Sequence, residues 1–111
     1  MTPVSGIWSL AELQARNAAS AGPFEIIFDV PTMWAELFEL PVGGVDTQTP
    51  HDYDELYFVI DGQSRFTADG KVSDVKRGDT IFVRAHIDHR FHDITEDLKV
   101  LVVFSRKEPE A

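Results

Sequence analysis

His51 and Glu55 are the residues around which chemistry is most readily built. They lie in TPHDYDELYFVIDG, residues 49–62. The second half of that stretch alternates and is rich in aromatic and β-branched residues, as a strand is. The first half places one histidine and three acids in the five residues from His51 to Glu55. Packing alone seldom opens a strand this way. An imidazole and a carboxylate brought together would form either a hydrogen-bonded pair or two ligands of a metal ion. On a straight strand they would share a face but stand ~13 Å apart at ~3.3 Å per residue. The intervening Asp52-Tyr53-Asp54 favours a bend. A bend there would bring the two groups together at the start of the strand.

A third partner lies downstream. RAHIDHRFHD, residues 84–93, holds His86, His89 and His92, three of the four histidines in the chain. On a strand, His89, Phe91 and Asp93 share one face, with Arg90 and His92 on the other. His51, Glu55 and His89 then make two imidazoles and one carboxylate. That is the facial ligand set of non-haem Fe(II) sites, and it also suits Zn(II) with an open position. Alternation turns His92 away from the site, and His86 falls in a loop. Tyr53 and Tyr57 are candidates for lining a substrate pocket, although tyrosines on a half-buried strand also serve packing. Trp34 and Phe38 read as core. Glu36, set among apolar neighbours, reads either as buried or as facing solvent at an edge.

The elements that must position these residues are short strands. Candidates are 24–30, 33–40, 55–60, 64–68, 71–75, 80–84, 88–93 and 98–104. Asp61-Gly62 and Asp69-Gly70 are hairpin-type pairs, and KRGD (76–79) is another turn. The one helix candidate is SLAELQARNAA, residues 9–19, where Ser9 and Glu12 have capping-box spacing and Leu10 and Leu13 share a face. Residues 20–23 end it, and residues 106–111 read as a solvated tail. Many short strands at close spacing predict an all-β sandwich or barrel. ELYFVI and VLVVF are apolar on both faces. The barrel interior covers one of those faces. The other calls for a second sheet, the helix or another copy of the chain.

Bulk properties narrow the function. With 111 residues the chain is long enough for one domain with a real core. Nineteen acids against ten bases give a formal charge of −9, which sets aside phosphate backbones and anionic lipid surfaces as partners. There is no cysteine, hence no disulfide framework and no thiolate metal site. That suits a cytoplasmic location. No apolar run approaches the ~20 residues of a membrane span, and MTPVSGIWSL lacks the basic start of a secretory signal.

The two site segments together resemble the cupins. The first cupin motif carries a glycine, a His-x-His pair, a glutamate and a closing glycine. Here these are Gly43, Thr49-Pro50-His51, Glu55 and Gly62. The second carries a glycine, Pro-x-Gly, a histidine and an asparagine. Here these are Gly78, Arg84-Ala85-His86, His89 and Asp93. The resemblance spans roughly residues 34–104. It implies a cupin-type jelly-roll, or double-stranded β-helix, barrel with a short N-terminal helix. The core would run over about 24–104, with residues 1–23 as an N-terminal segment and 105–111 as a tail. Thr49 stands where the family has its first histidine, so a three-histidine site does not carry over. His51, Glu55 and His89 do. Gln48 becomes the expected fourth ligand through its amide oxygen, if the segment is bulged or shifted by one residue.

The expected cofactor is a divalent metal ion: Fe, Zn, Mn or Ni. The expected ligand is a small organic molecule, with dioxygenase- or isomerase-type chemistry implied by the resemblance. The alternatives are a non-catalytic ligand-binding barrel and a metal-free structural dimer. Neither nucleic acid nor membrane is an expected partner. A homodimer is, because Leu56, Phe58 and Ile60 would otherwise leave an apolar sheet face open.

Overall fold

Asp69 and Gly70 both adopt positive φ, 51° and 78°, as a two-residue hairpin of the primed type demands. The turn joins two strands with Ala68 opposite Lys71. The computed structural model describes residues 4–20 and 22–106. Within them lie α1 (Leu10–Ala19), β1 (Phe24–Val30), β2 (Met33–Leu40), β3 (Glu55–Ala68), β4 (Lys71–Lys76), β5 (Thr80–Val83) and β6 (His89–Ser105). Residues 107–111 of the expected tail lie outside the described residues, as does Ala21. No helix among the described residues is long and apolar enough to cross a membrane.

Asp61-Gly62 does not make the expected hairpin. The segments 55–60 and 64–68 are one strand, β3, and 88–93 and 98–104 are likewise one strand, β6. Gly62 has φ 100°, and a Cβ there would lie 2.4 Å from the Asp97 carbonyl oxygen. The glycine is needed because the β6 backbone passes directly against it and the strand bends. The β3–β6 register shifts on both sides of this point, and β6 carries the extra residues between Val100 and His92. Asp93 falls among them at φ 49° and is exposed. It therefore does not share the inward face of His89 and Phe91, contrary to simple alternation. The bulged backbone re-aims its side chain.

The strands form one antiparallel sheet in the order β1-β2-β6-β3-β4, with β5 also paired to β3. Glu55 is opposite Phe104 at one end of the β3–β6 ribbon, and Ala68 is opposite His89 at the other. A straight β3 would separate these ends by roughly 43 Å. Yet Glu55 and His89 approach to 3.2 Å. The ribbon folds over on itself, so its two halves face one another and enclose a barrel. Inside are Phe38, Tyr57, Val59, Phe66, Phe91 and Val100, all buried. Phe66 and Phe91 meet with centroids 4.7 Å apart.

Helix α1 starts where the capping spacing places it. The Ser9 hydroxyl oxygen accepts the Glu12 amide at 3.1 Å. Leu13 and Asn17 are its buried residues, whereas Leu10 stays exposed, so the buried stripe is narrower than expected. The Asn17 side-chain amide donates to Glu39 and to the Pro23 carbonyl, fixing the helix to β2 and the start of β1. Leu37, Leu101 and Phe58 form one row across the outer face of β2, β6 and β3. Burial falls along that row. It is complete at Leu37, where α1 packs on β2, and Phe58 is left 43% exposed. Leu56 and Phe82 beside it are 44% and 62% exposed. The helix therefore covers only part of the outer sheet face.

Candidate metal centre

Glu55 opens β3 between Val83 of β5 and Phe104 of β6, and its side chain points into the barrel. Its two oxygens have different neighbours. Oε2 accepts the Tyr57 hydroxyl at 2.5 Å. Oε1 faces His51 Nδ1 at 2.5 Å and His89 Nε2 at 3.2 Å. The chain bends at Asp52 and Tyr53, which is what brings His51 back over Glu55. The His51 carbonyl accepts the His86 amide at 2.7 Å, tying this bend to the loop before β6. His89 opens β6 and is buried beside Phe66 and Tyr57. One ligand atom from each of His51, Glu55 and His89 lies within 4.8 Å of the others.

The protonation pattern decides what this cluster can hold. His89 Nδ1 is 2.7 Å from the Ile87 carbonyl, which can only accept, so Nδ1 carries the proton. In the neutral ring, Nε2 is then a bare lone pair. It is buried and makes no hydrogen bond, despite its approach to Glu55. A divalent ion among the three side chains would satisfy it, and carbonyl-oriented imidazoles are the usual metal ligands. Without an ion, the charge within the cluster favours a proton on that nitrogen instead, so a metal ion and a proton compete for it. Burial works against the Glu55 carboxylate. The hydrogen-bonding groups of His89 and Tyr57 and the imidazole charges outweigh it and hold Glu55 below the usual carboxylate range. Burial likewise opposes a charged His89, but Glu55 and the Ile87 carbonyl outweigh it and raise His89. Burial and the adjacent Glu55 charge push the Tyr57 hydroxyl far up, so it stays protonated and donates.

Gln48 adjoins the cluster through Tyr57. Its side-chain NH₂ donates to Asp46 at 2.7 Å, and its backbone amide donates to the other Asp46 oxygen at 3.0 Å. The amide oxygen is thereby aimed inward, 3.2 Å from the Tyr57 hydroxyl oxygen. Tyr57 has one proton, and the shorter contact gives it to Glu55. The Gln48 oxygen thus presents a free lone pair toward the cluster. Thr49 is exposed on the wall of a cavity of about 230 Å³, which Gln48, His51, Phe24 and Phe38 also line. Of the three clustered residues only His51 lines it, and larger clefts, such as one of about 480 Å³ beside α1, hold none of them. Tyr57 lies fully buried behind Glu55, whereas Tyr53 is 37% exposed with its ring edge-on to Trp34 at 5.2 Å and does not line the small cavity. His92 faces away and hydrogen-bonds Thr67 and Asp93, and His86 is exposed near Asp52.

Two residues gain roles the motifs do not carry. Asp46 is buried and accepts three N–H groups, two from Gln48 and one from the Phe91 backbone. In sequence it looks like one more loop acid. Its only signal is its place two residues before Gln48, the spacing of an Asx turn. Glu36 lies on the inner face of β2 between Trp34 and Phe38, a placement the alternation of MWAELFEL carries once Phe38 is taken as core.

The cupin domain family, Cupin_2, matches residues 36–104. An uncharacterized protein of Streptomyces coelicolor is 41% identical over 99 residues, covering 89% of this chain and 94% of that protein. Solved structures of similar fold include KdgF from a Halomonas species, with TM-score 0.70, 22% identity and coverage of 80% of this chain and 86% of that one. An RmlC-like cupin from Shewanella frigidimarina has TM-score 0.69 and 18% identity, covering 79% and 81% of the two chains. At these identities the structures speak for the jelly-roll barrel alone. The motifs around Glu55 and His89, the folded-over ribbon that joins them and the match over most of the barrel agree that this chain belongs to the cupins.

Proposed function

We propose that the protein binds one divalent metal ion through His51, Glu55 and His89, with the Gln48 amide oxygen completing the protein ligands. The remaining positions would be open to a small organic molecule. The observation that carries this reading is the buried, unpartnered Nε2 of His89, fixed in its tautomer by Ile87 and directed at Glu55. A divalent ion in that place supplies Lewis acidity, polarising a carbonyl or hydroxyl of a bound molecule. The protein's own contributions are positional. Tyr57 holds one oxygen of Glu55, Asp46 holds Gln48, and Phe24 and Phe38, stacked at 4.7 Å, form an apolar wall of the small cavity. The cavity lies below the usual 300–1,000 Å³ range of ligand pockets and so favours a small ligand. Of the two tyrosines only Tyr53 is exposed enough to touch it.

The test is metal content after dialysis against Zn(II) or Co(II). One equivalent per chain is expected, and His89→Ala should lose it. If the wild-type chain retains no ion, or His89→Ala retains it equally, the reading fails. As a second part of the proposal, two copies pair through the outer face of Leu56, Phe58 and Phe82, which α1 leaves uncovered. The cysteine-free composition fits a cytosolic protein.

A further inference from the structure

Glu36 shares the interior with the metal cluster but belongs to none of its contacts. Trp34 is opposite Phe104, which is opposite Glu55. One row along, Glu36 is opposite Val102, which is opposite Tyr57. Residues in such rows share a face of the sheet, so Glu36 points to the same side as Glu55 and Tyr57. Its carboxyl is also held in place. The Trp34 indole stacks on Phe104 with centroids 4.1 Å apart, and the Arg106 guanidinium lies 4.3 Å from its centroid. Arg106 is itself anchored to the Asp29 carboxylate and the Val30 carbonyl. Tyr53 abuts the indole edge-on. The immobilised indole spends its one N–H on Glu36 Oε1 at 3.2 Å. Among the described residues nothing donates to Oε2, and no cation pairs with this carboxylate.

Packing is a poor explanation for such a group. Glu36 is half-buried, and its Oε2 is neither hydrogen-bonded nor sealed in the core, so it stays open to water or to a molecule in the site. Glutamine or an apolar residue would serve the barrel wall better. Burial, set against the Trp34 hydrogen bond and the His51 charge and reinforced by Glu55, raises the proton affinity of Glu36 above that of an ordinary glutamate. A carboxyl of raised proton affinity, with one oxygen held and the other free, can both take and return a proton.

We infer that Glu36 is the proton-transfer group of this site, held by Trp34, and that the ligand class is a small carbonyl compound with an acidic C–H, converted to its tautomer or double-bond isomer. The inference rests on the metal-site reading above. In the step, Oε2 removes the proton from the carbon beside the carbonyl. The C–H electron pair becomes the new C=C bond, and the C=O π pair moves onto oxygen. The protonated carboxyl exchanges with water through its open oxygen and then returns a proton to the other end of the delocalised anion. No oxidant, reductant or second substrate is consumed, so the chemistry is of the isomerase kind rather than the oxygenase kind.

The test uses the full chain loaded with Co(II), with pyruvate in D₂O as probe. The visible Co(II) spectrum and its change on adding pyruvate report the metal and the ligand class. Exchange of the pyruvate methyl protons, followed by proton NMR, reports the transfer. Glu36→Gln should keep both spectra and lose exchange by about 100-fold or more, the usual weight of a positioned acid–base group. Equal exchange in Glu36→Gln, or none in a wild-type protein that binds pyruvate, overturns the assignment. A missing response to pyruvate overturns the ligand class. A missing Co(II) spectrum instead overturns the metal-site reading.

A second measurement needs no turnover. In chain carrying ¹³C-carboxyl glutamate, the resonance absent from Glu36→Gln is that of Glu36. Its titration midpoint should fall by about half a unit or more on Zn(II) loading, from the added positive charge nearby. It should rise in Trp34→Phe, which keeps the ring and removes the N–H. A midpoint that ignores both changes overturns the geometry on which the inference stands.

Discussion

Replacing Tyr57 by phenylalanine removes one oxygen atom from the centre of the barrel. The ring keeps its edge-on packing on Phe91 and Phe66, so the apolar core is unchanged. What is lost is the 2.5 Å hydrogen bond to Glu55 Oε2, a carboxylate oxygen with no access to water to replace the donor. Hydrogen bonds to charged groups contribute about 1.5–3 kcal/mol, and a buried partner left unpaired makes the loss complete. The metal-free variant should therefore be less stable by about 2 kcal/mol, or roughly 8 °C in Tm for a chain of this size. Urea unfolding in the presence of a chelator measures it.

The sign of the pH dependence is a second check. Glu55 is held below its ordinary value, so its hydrogen bonds stabilise the fold above that value and lose their effect as pH falls through the lowered one. The penalty of Tyr57→Phe should accordingly be full at neutral pH and shrink in acid. Metal affinity should fall about 10–100-fold, as it does when a group orienting a ligand is removed. A variant as stable as wild type, with unchanged metal affinity, would refute the claim that Tyr57 fixes the carboxylate.

Gln48→Ala should weaken metal binding more than Thr49→Ala, because the Gln48 oxygen is aimed inward by Asp46 whereas Thr49 is exposed. Equilibrium dialysis of both variants decides the order, and the reverse order removes Gln48 from the ligand set. In the metal-free protein, the raised proton affinity of His89 stabilises the fold below the ordinary imidazole value, an effect lost as pH rises through the folded value. Chelator-treated protein should thus lose stability on the alkaline side, while Zn(II)-loaded protein gains relative to it, as chemical denaturation across that range will show. Light scattering at micromolar concentration should give about 25 kDa, twice the 12.5 kDa chain, and Phe58→Asp should halve it. A wild-type monomer would mean that the exposed outer face has no second copy on it.

Most strand positions, and the inward face of Tyr57 and Val59, were legible because side-chain alternation and turn chemistry act locally, whereas the pairing order of the strands was not. β1 and β2 have the expected bounds, and Asp69-Gly70 turns where its φ values allow. Asp61-Gly62 misled because a glycine at positive φ serves a hairpin and a strand bend equally. Only the approach of the Asp97 backbone, a distant contact, separates the two. Asp93 misled for a related reason, since period-two counting fails wherever a bulge inserts residues. Glu55 and His89 could be picked out because each is a chemistry-bearing side chain at a strand start, and His51 because it precedes Glu55 across a bend. Asp46 could not, because an acid buried by three N–H donors looks in sequence like an acid in water. The direction of Glu36 depends on which face of β2 meets the core, and it follows from alternation only when Phe38 is used to fix that face.

The folded-over β3–β6 ribbon has a consequence for how the chain reaches its native state. Glu55 and His89 are neighbours only after the two halves of the ribbon have closed on each other. Until then the chain offers an ion little more than the local pair of His51 and Glu55. Such long-range closure comes late, since loop entropy must be overcome before any contact rewards it. An ion held by the finished cluster therefore cannot serve as a folding nucleus. It would act as a latch, leaving the folding rate nearly unchanged and slowing unfolding. Stored in this way, stability resides in the lifetime of the closed barrel, and a chain caught half-closed has no complete site with which to capture metal.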